Sequence, residues 1–421
     1  MITPTAYRDA LSQIDAPNSF AAARQAALNA FLKTGLPESR QEDWRYISLD
    51  HLERMPLHAP EDGLGILPAL EDYPGALLAY LDDRLVWQDT SLPPRVLDTL
   101  ENAIGDGIPA WAAESFGSLA GTASLTQLNA ALWREGACLR VPAGERLRQP
   151  VFLRFAAAEA DVMLYPRVFV HMAVGADAIL VEHFLGDPSI EYWQNPVAEI
   201  VLEAGARLTH LRIIEDSNLA THTGLSAVHL ARDSSYRALN LTLSGQVARH
   251  ELNLALAEAG AEARLDGVFI AAGRSRTEQH LRIAHQAPHG KSRTHYCGLA
   301  DGRGRGVFDA RVEVQAHADG NDAQQTSRNL LLSPHAEIDA KPQLEIYADD
   351  VKCSHSATVG SLDENALFYL RSRGIDGEHA RHLLMQAFID EALGLLDDTG
   401  LRDWLMPRLL AGMPRVQSLE P

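Results

Sequence analysis

Near its end the chain alternates apolar and polar positions: Leu344 and Ile346, then Val351, Cys353, His355, Ala357 and Val359, each with polar neighbours. This period of two predicts half-buried strands. Past Gly360 the pattern turns helical, with Ala366, Leu367, Leu370 and Arg371 closed by Gly374. A β-rich body therefore ends near residue 360. Upstream, short β-type runs divided by Pro and Gly begin at Cys138, Val151 and Arg167. A unit then recurs, small residues followed by a β run: VGADAILVEHFLGD from Val174, AGARLTHLRIIEDS from Ala204, DSSYRALNLTLSG from Asp233 and AGAEARLDGVFIAAG from Ala259. SPHAEIDAKPQLEIYADD from Ser333 is a late member. The first four start roughly 26 to 30 residues apart, a solenoid spacing. A unit of two or three short strands cannot bury its apolar face alone, and stacking buries it. The expected fold is mainly β, a β-solenoid or β-helix, with a large sandwich or jelly roll as the rival.

The flanks read differently, giving three regions: residues 1–135, largely helical; 136–360, the β core; and 361–421, helical. In the first, Ser19 is the expected cap of a helix with Phe20, Ala23, Ala27 and Phe31 on one face, stopped by Gly35 and Pro37. GLPESRQEDWRYISL comes next, a surface segment docked by Trp44, Tyr46 and Leu49. Residues 63–119 suggest no definite element, and Ser124 to Trp133 one short helix. In the last region Asp376 caps a helix with Ala380, Leu384, Phe388, Ala392 and Leu395 in a stripe, and Thr399 with Gly400 is expected to break it. Trp404, Leu405, Leu409 and Leu410 then form an apolar segment interrupted by Pro407.

Charge narrows the function. The chain has 37 Lys and Arg against 56 Asp and Glu, a net charge of −19 over 421 residues. That argues against nucleic acid, whose binding needs basic surface, and against an anionic membrane. No apolar run approaches the roughly 20 residues of a membrane span. MITPTAYRDALSQID has no signal-peptide pattern, and three widely separated cysteines form no disulfide framework. A cytoplasmic location is expected.

Cys353 and His355 are the leading chemical candidates. At i and i+2 of a strand their Cα atoms lie about 6.6 Å apart on one face. A thiolate and an imidazole so placed could share a metal or an iron–sulfur fragment if further ligands came from elsewhere. The same residues also read as core packing, or as a Cys/His nucleophile pair. Cys138 and Cys297 read as packing residues, although His295 and Cys297 share a face in the same i, i+2 fashion. DGRGRGVFDARVEV, from Asp301, lacks the GKS or GKT ending of a phosphate loop and reads as a tight turn. Asp319, Asp322, Asp339, Asp349 and Asp350 could belong to a β-helical carbohydrate-active enzyme. His280, His285, His289 and His295 have no metal-ligand spacing and are expected at the surface.

DGRGRGVFDARVEV, DAQQTSRNLLLSPHAEIDAKPQLEIYADDVKCSHSATVG and LDENALFYLRSRGI, with GLPESRQEDWRYISL near the start, resemble the SufB/SufD family of iron–sulfur cluster assembly proteins. The short, cysteine-poor chain and its Cys353-Ser-His355 motif are closer to the SufD side of that family than to the SufB side. Ser356 departs from the Gly that many members carry before Ala-Thr. The resemblance implies a right-handed parallel β-helix core flanked by N-terminal and C-terminal α-helical regions. It implies a heterodimer with a SufB-like paralogue, a homodimer being the alternative for the isolated chain, and a SufC-like ABC ATPase docked on the C-terminal helices. It further implies that the chain is a non-catalytic scaffold of the SUF system without a nucleotide site. His355, with Cys353 as the weaker candidate, would contact a transient Fe–S cluster shared with SufB. A purely structural arm of such a complex is the alternative.

Overall fold

Strands alternate strictly between two sheets along most of the chain. The computed structural model describes residues 4–14, 18–61, 73–89, 91–93, 95–104, 107–394, 396 and 398–414. One sheet runs Arg84–Gln88, Ala76–Leu81, Val151–Ala157, Asp177–Gly186, Arg207–Glu215, Ser235–Thr242, Glu262–Ala271, Lys291–Ala300, Asn321–Leu331 and Val351–Gly360. The other ends in Val197–Leu202, Thr221–Leu230, Val247–Leu256, Arg276–His285, Arg305–Val314 and Glu337–Ile346. Pairing within the body is parallel, so the chain coils into a β-solenoid of about eight turns with helices at both termini.

Parallel stacking carries each side chain onto the one a turn earlier. One inward column of the first sheet runs Leu180, His210, Ala238, Leu265, Thr294, Gln325 and His355. The column beside it runs Ala178, Leu208, Tyr236, Ala263, Ser292, Ala323 and Cys353. Below the last turn every member of both is buried. The core between the sheets is closed by Phe155, Phe184, Leu252, Leu254, Phe269 and Phe308. Burying each such side chain contributes about 1.5–3 kcal/mol.

Helices cover the outer faces. Glu364–Ser372, Gly377–Asp390 and Thr399–Gly412 begin at Asp363, Asp376 and Asp398, each of whose carboxylates accepts backbone N–H bonds of the first turn. Met385, Ile389, Leu405 and Leu409 pack on Leu211, Leu239, Val268 and Leu299 of the first sheet. Thr399 and Gly400, expected as a break, open the last helix, and Pro407 lies inside it. Burial of Trp404, Leu405 and Leu409 offsets a proline cost of about 3 kcal/mol. Leu395 of the expected stripe lies outside the described residues.

At the other end Asn18–Thr34 and Ser124–Leu132 pack over Cys138, Phe169 and Trp193 of the second sheet. Ser19 stands inside the first of these helices, which starts one residue before it. Strands Ala76–Leu81 and Leu97–Thr99 lie within the region read as largely helical, and each extends a sheet. The segment around Trp44 lies along the outer face of the second sheet. Asp43 reaches Arg282 at 2.9 Å, Glu42 reaches Lys341 at 3.2 Å, and Arg249 stacks 4.1 Å from the Trp44 ring.

Candidate functional site

The last turn of the solenoid is built like the others but left open. Its strands, Glu337–Ile346 and Val351–Gly360, are each 10 residues long. Each pairs with the turn before it, and among the described residues no strand pairs with its other edge. Among the described residues nothing is stacked on the inward-pointing side chains here. His355 is accordingly exposed, although Gln325 directly below it is 1% exposed and donates to the Gln343 carbonyl at 3.0 Å.

Cys353 leaves the same face two residues earlier and packs half-buried against the edge of the core. Partial burial pushes its thiol pKa up, and Asp322 adds to the shift. Cys353 is therefore a thiol at neutral pH and would lose its proton to an arriving metal. The imidazole of His355 stands beside it, open to solvent. Together they offer one soft and one borderline donor. Among the described residues no group of three or more His, Cys, Asp or Glu is placed to hold a metal ion. The donor pair fits a half-site that a second surface would complete.

The other i, i+2 pair lies elsewhere. His295 and Cys297 are neighbours, with Nε2 and Sγ 3.9 Å apart, but they face outward beneath the C-terminal helix, where Cys297 Sγ lies 3.7 Å from the Phe388 carbonyl. Burial pushes the thiols of both Cys297 and Cys138 up to about 12. Two of the expected surface histidines are buried. His280 bonds Glu278 at 2.8 Å under the docked N-terminal segment, and His285 lies between Asn321 and Ser292 at 2.7 and 2.8 Å. In the Asp301 run Gly302 has φ +66°, and a Cβ on Gly304 would lie 2.0 Å from the Ala271 carbonyl oxygen. That is a tight turn against the preceding one, as its composition suggests.

A buried ionic network inside the solenoid escaped the sequence. Arg212 donates to Glu182 at 2.7 Å and to His222 Nε2 at 2.9 Å, while His222 Nδ1 donates to Asp216 at 2.8 Å. These roles fix a neutral Nδ1–H tautomer, consistent with burial lowering the His222 pKa. A Cβ at position 224 would lie 2.3 Å from Arg212 Nη2, so glycine there makes room for the guanidinium. The only sequence trace is a Glu and an Arg one turn apart.

Apolar surface collects near the open end. Phe368 is 75% exposed, Tyr369 56% and Tyr347 64%.

The class the structure defines is a parallel β-solenoid capped by helices, ending in an open turn that carries a thiol and an imidazole. The family model described as SUF system FeS cluster assembly, SufBD core domain, matches residues 155–388. The chain is 32% identical over 405 residues to the iron-sulfur cluster assembly protein SufD of Escherichia coli strain K12, covering 93% of this chain and 92% of that one. It is 31% identical over 395 residues to a SufBD family iron-sulfur cluster assembly protein of Synechocystis, covering 88% and 86%. With SufD of Bacillus subtilis it shares 28% identity over 291 residues, covering 67% and 65%. The chain belongs to the SufBD family of iron–sulfur cluster assembly proteins, and within it is SufD-like. No helix among the described residues is long and apolar enough to cross a membrane.

Proposed function

We propose that this chain is the SufD-type scaffold subunit of a cytoplasmic SUF complex. It pairs through its open last turn with a SufB-like paralogue, and a nascent Fe–S cluster, the cargo, is built between the two. The observation that carries this reading is the position of His355: on an inward column, yet exposed because the solenoid stops there. Two strand edges beside it, unpaired among the described residues, offer backbone donors and acceptors to a second solenoid end. In the pair, His355 contributes an imidazole to the iron, Cys353 stands beside it as the weaker donor, and the partner supplies the remaining ligands.

A SufC-like ATPase docks on the C-terminal helices, where Phe368 and Tyr369 project. Its ATP-driven closure shifts the two solenoids against each other and opens the shared site. This chain holds and orients; hydrolysis belongs to the ATPase. Co-expression with the SufB-like and SufC-like proteins of the same organism, then anaerobic size-exclusion chromatography with iron and sulfide analysis, tests the assignment. A ternary complex carrying iron and sulfide is expected. A chain that elutes alone under these conditions contradicts it.

A further inference from the structure

On the first sheet's outer face, at the end far from His355, lies a cleft of about 610 Å³ lined by Arg146, Arg148, Arg207 and Arg237. In a chain of net charge −19 this is a local reversal of sign. Among the described residues two carboxylates share the cleft, and both are engaged. Asp177 lies 3.5 Å from Arg146, and Asp398 accepts from the Leu401 N–H at 2.8 Å as a helix cap. Among the described residues neither Arg148 nor Arg207 has a carboxylate within 4.0 Å.

The positive character continues beyond the cleft. Arg237, Arg264 and Arg293 occupy one outward column on successive turns, about 4.8 Å apart. Asp266 lies 2.8 Å from Arg264. One wall of the cleft is apolar, formed by Ile179, Leu396 and Leu401.

We infer that this cleft binds a small molecule bearing a chain of phosphates. Guanidinium groups form planar, paired bonds to phosphate oxygens, and several converging on one space match several phosphates. The volume is that of a small-ligand site, and the apolar wall would accept an organic group attached to the phosphates. A free oligophosphate and a nucleotide share this chemistry. The site binds without hydrolysing, and its occupancy does not depend on the role of His355.

Titration calorimetry on the full chain, free of any ATPase, tests it with tripolyphosphate and with ATP. Saturable binding is expected, weakened about tenfold or more in the Arg148→Gln/Arg207→Gln variant and unchanged in Arg305→Gln at the far end. Circular dichroism checks that the variants fold; the arginines replaced are exposed, and folding does not depend on them. ATP binding more tightly than tripolyphosphate would support the site and assign the apolar wall to the nucleoside; equal affinity would support recognition of the phosphates alone. No saturable binding of either up to millimolar concentration, or equal binding by the double variant, overturns the inference.

Discussion

His355 stands directly above Gln325, one turn further along the solenoid and on the same face of its strand, yet Gln325 is buried and His355 is in solvent. Each earlier member of the column is covered by the side chain of the next turn, whereas among the described residues no further turn covers His355. The end of the solenoid thus converts a core position into a solvent-exposed imidazole.

The neighbouring thiol gives a test that needs no partner. Of the three cysteines, Cys138 and Cys297 are buried and Cys353 is half-buried with a raised pKa. A maleimide should label Cys353 alone in the native chain, slowly at pH 7 and faster as pH rises, because the thiolate is the nucleophile. Mass spectrometry should find a single adduct on native protein and complete labelling in denaturant. Rapid native labelling of Cys297 would refute the packing described around Phe388.

The interior network predicts a large stability effect far from the open end. Arg212→Ala removes one partner of a buried pair and leaves the Glu182 carboxylate with only the His210 ring beside it, 3.4 Å away, at a cost of about 3–5 kcal/mol. Replacing both residues by apolar ones of similar volume should recover much of the loss. Urea denaturation of the single and double variants measures this, and an Arg212→Ala loss below about 1 kcal/mol would contradict it.

Asp83 supplies a pH dependence. It is buried at positive φ, accepts the Tyr165 N–H at 2.5 Å, and burial pushes its pKa up to about 7. Between its unfolded value, near 3.8, and about 7 the folded state holds the extra proton. Its contribution to stability is therefore present below the unfolded pKa and is lost as pH rises through 7. Asp83→Asn should flatten the decline in Tm between pH 5 and pH 8 relative to wild type. An unchanged slope would place the dependence on another group, such as Glu101, which burial also raises to about 7.

Phe368, exposed beside Tyr369, is the expected anchor for the ATPase. Phe368→Glu should weaken that contact by about 2 kcal/mol or more while leaving this chain folded and still paired with the SufB-like subunit. Pull-down of each partner separately checks it. Loss of both partners together would place Phe368 in the other interface.

Much of this fold was legible because the solenoid repeats itself. Inward apolar positions and small residues at corners return every turn, and the period of two set Cys353 and His355 on one face. Parity across turns was not legible. His295 with Cys297 and Cys353 with His355 look alike in sequence, but register places the first pair outward under a helix and the second inward at the open end. His280 also looked like a surface residue because the segment that covers it lies more than two hundred residues earlier, where Asp43 reaches Arg282. Pro407 looks like an interruption because sequence does not display the burial that keeps its helix intact.

The role of His355 is tested most sharply by iron and acid-labile sulfide in the anaerobically purified ternary complex, wild type against His355→Ala. Since His355 is exposed, the variant should fold and assemble normally, and its iron and sulfide should be lost. An intact complex with iron and sulfide at wild-type level would remove His355 from the cluster and leave the chain a structural arm.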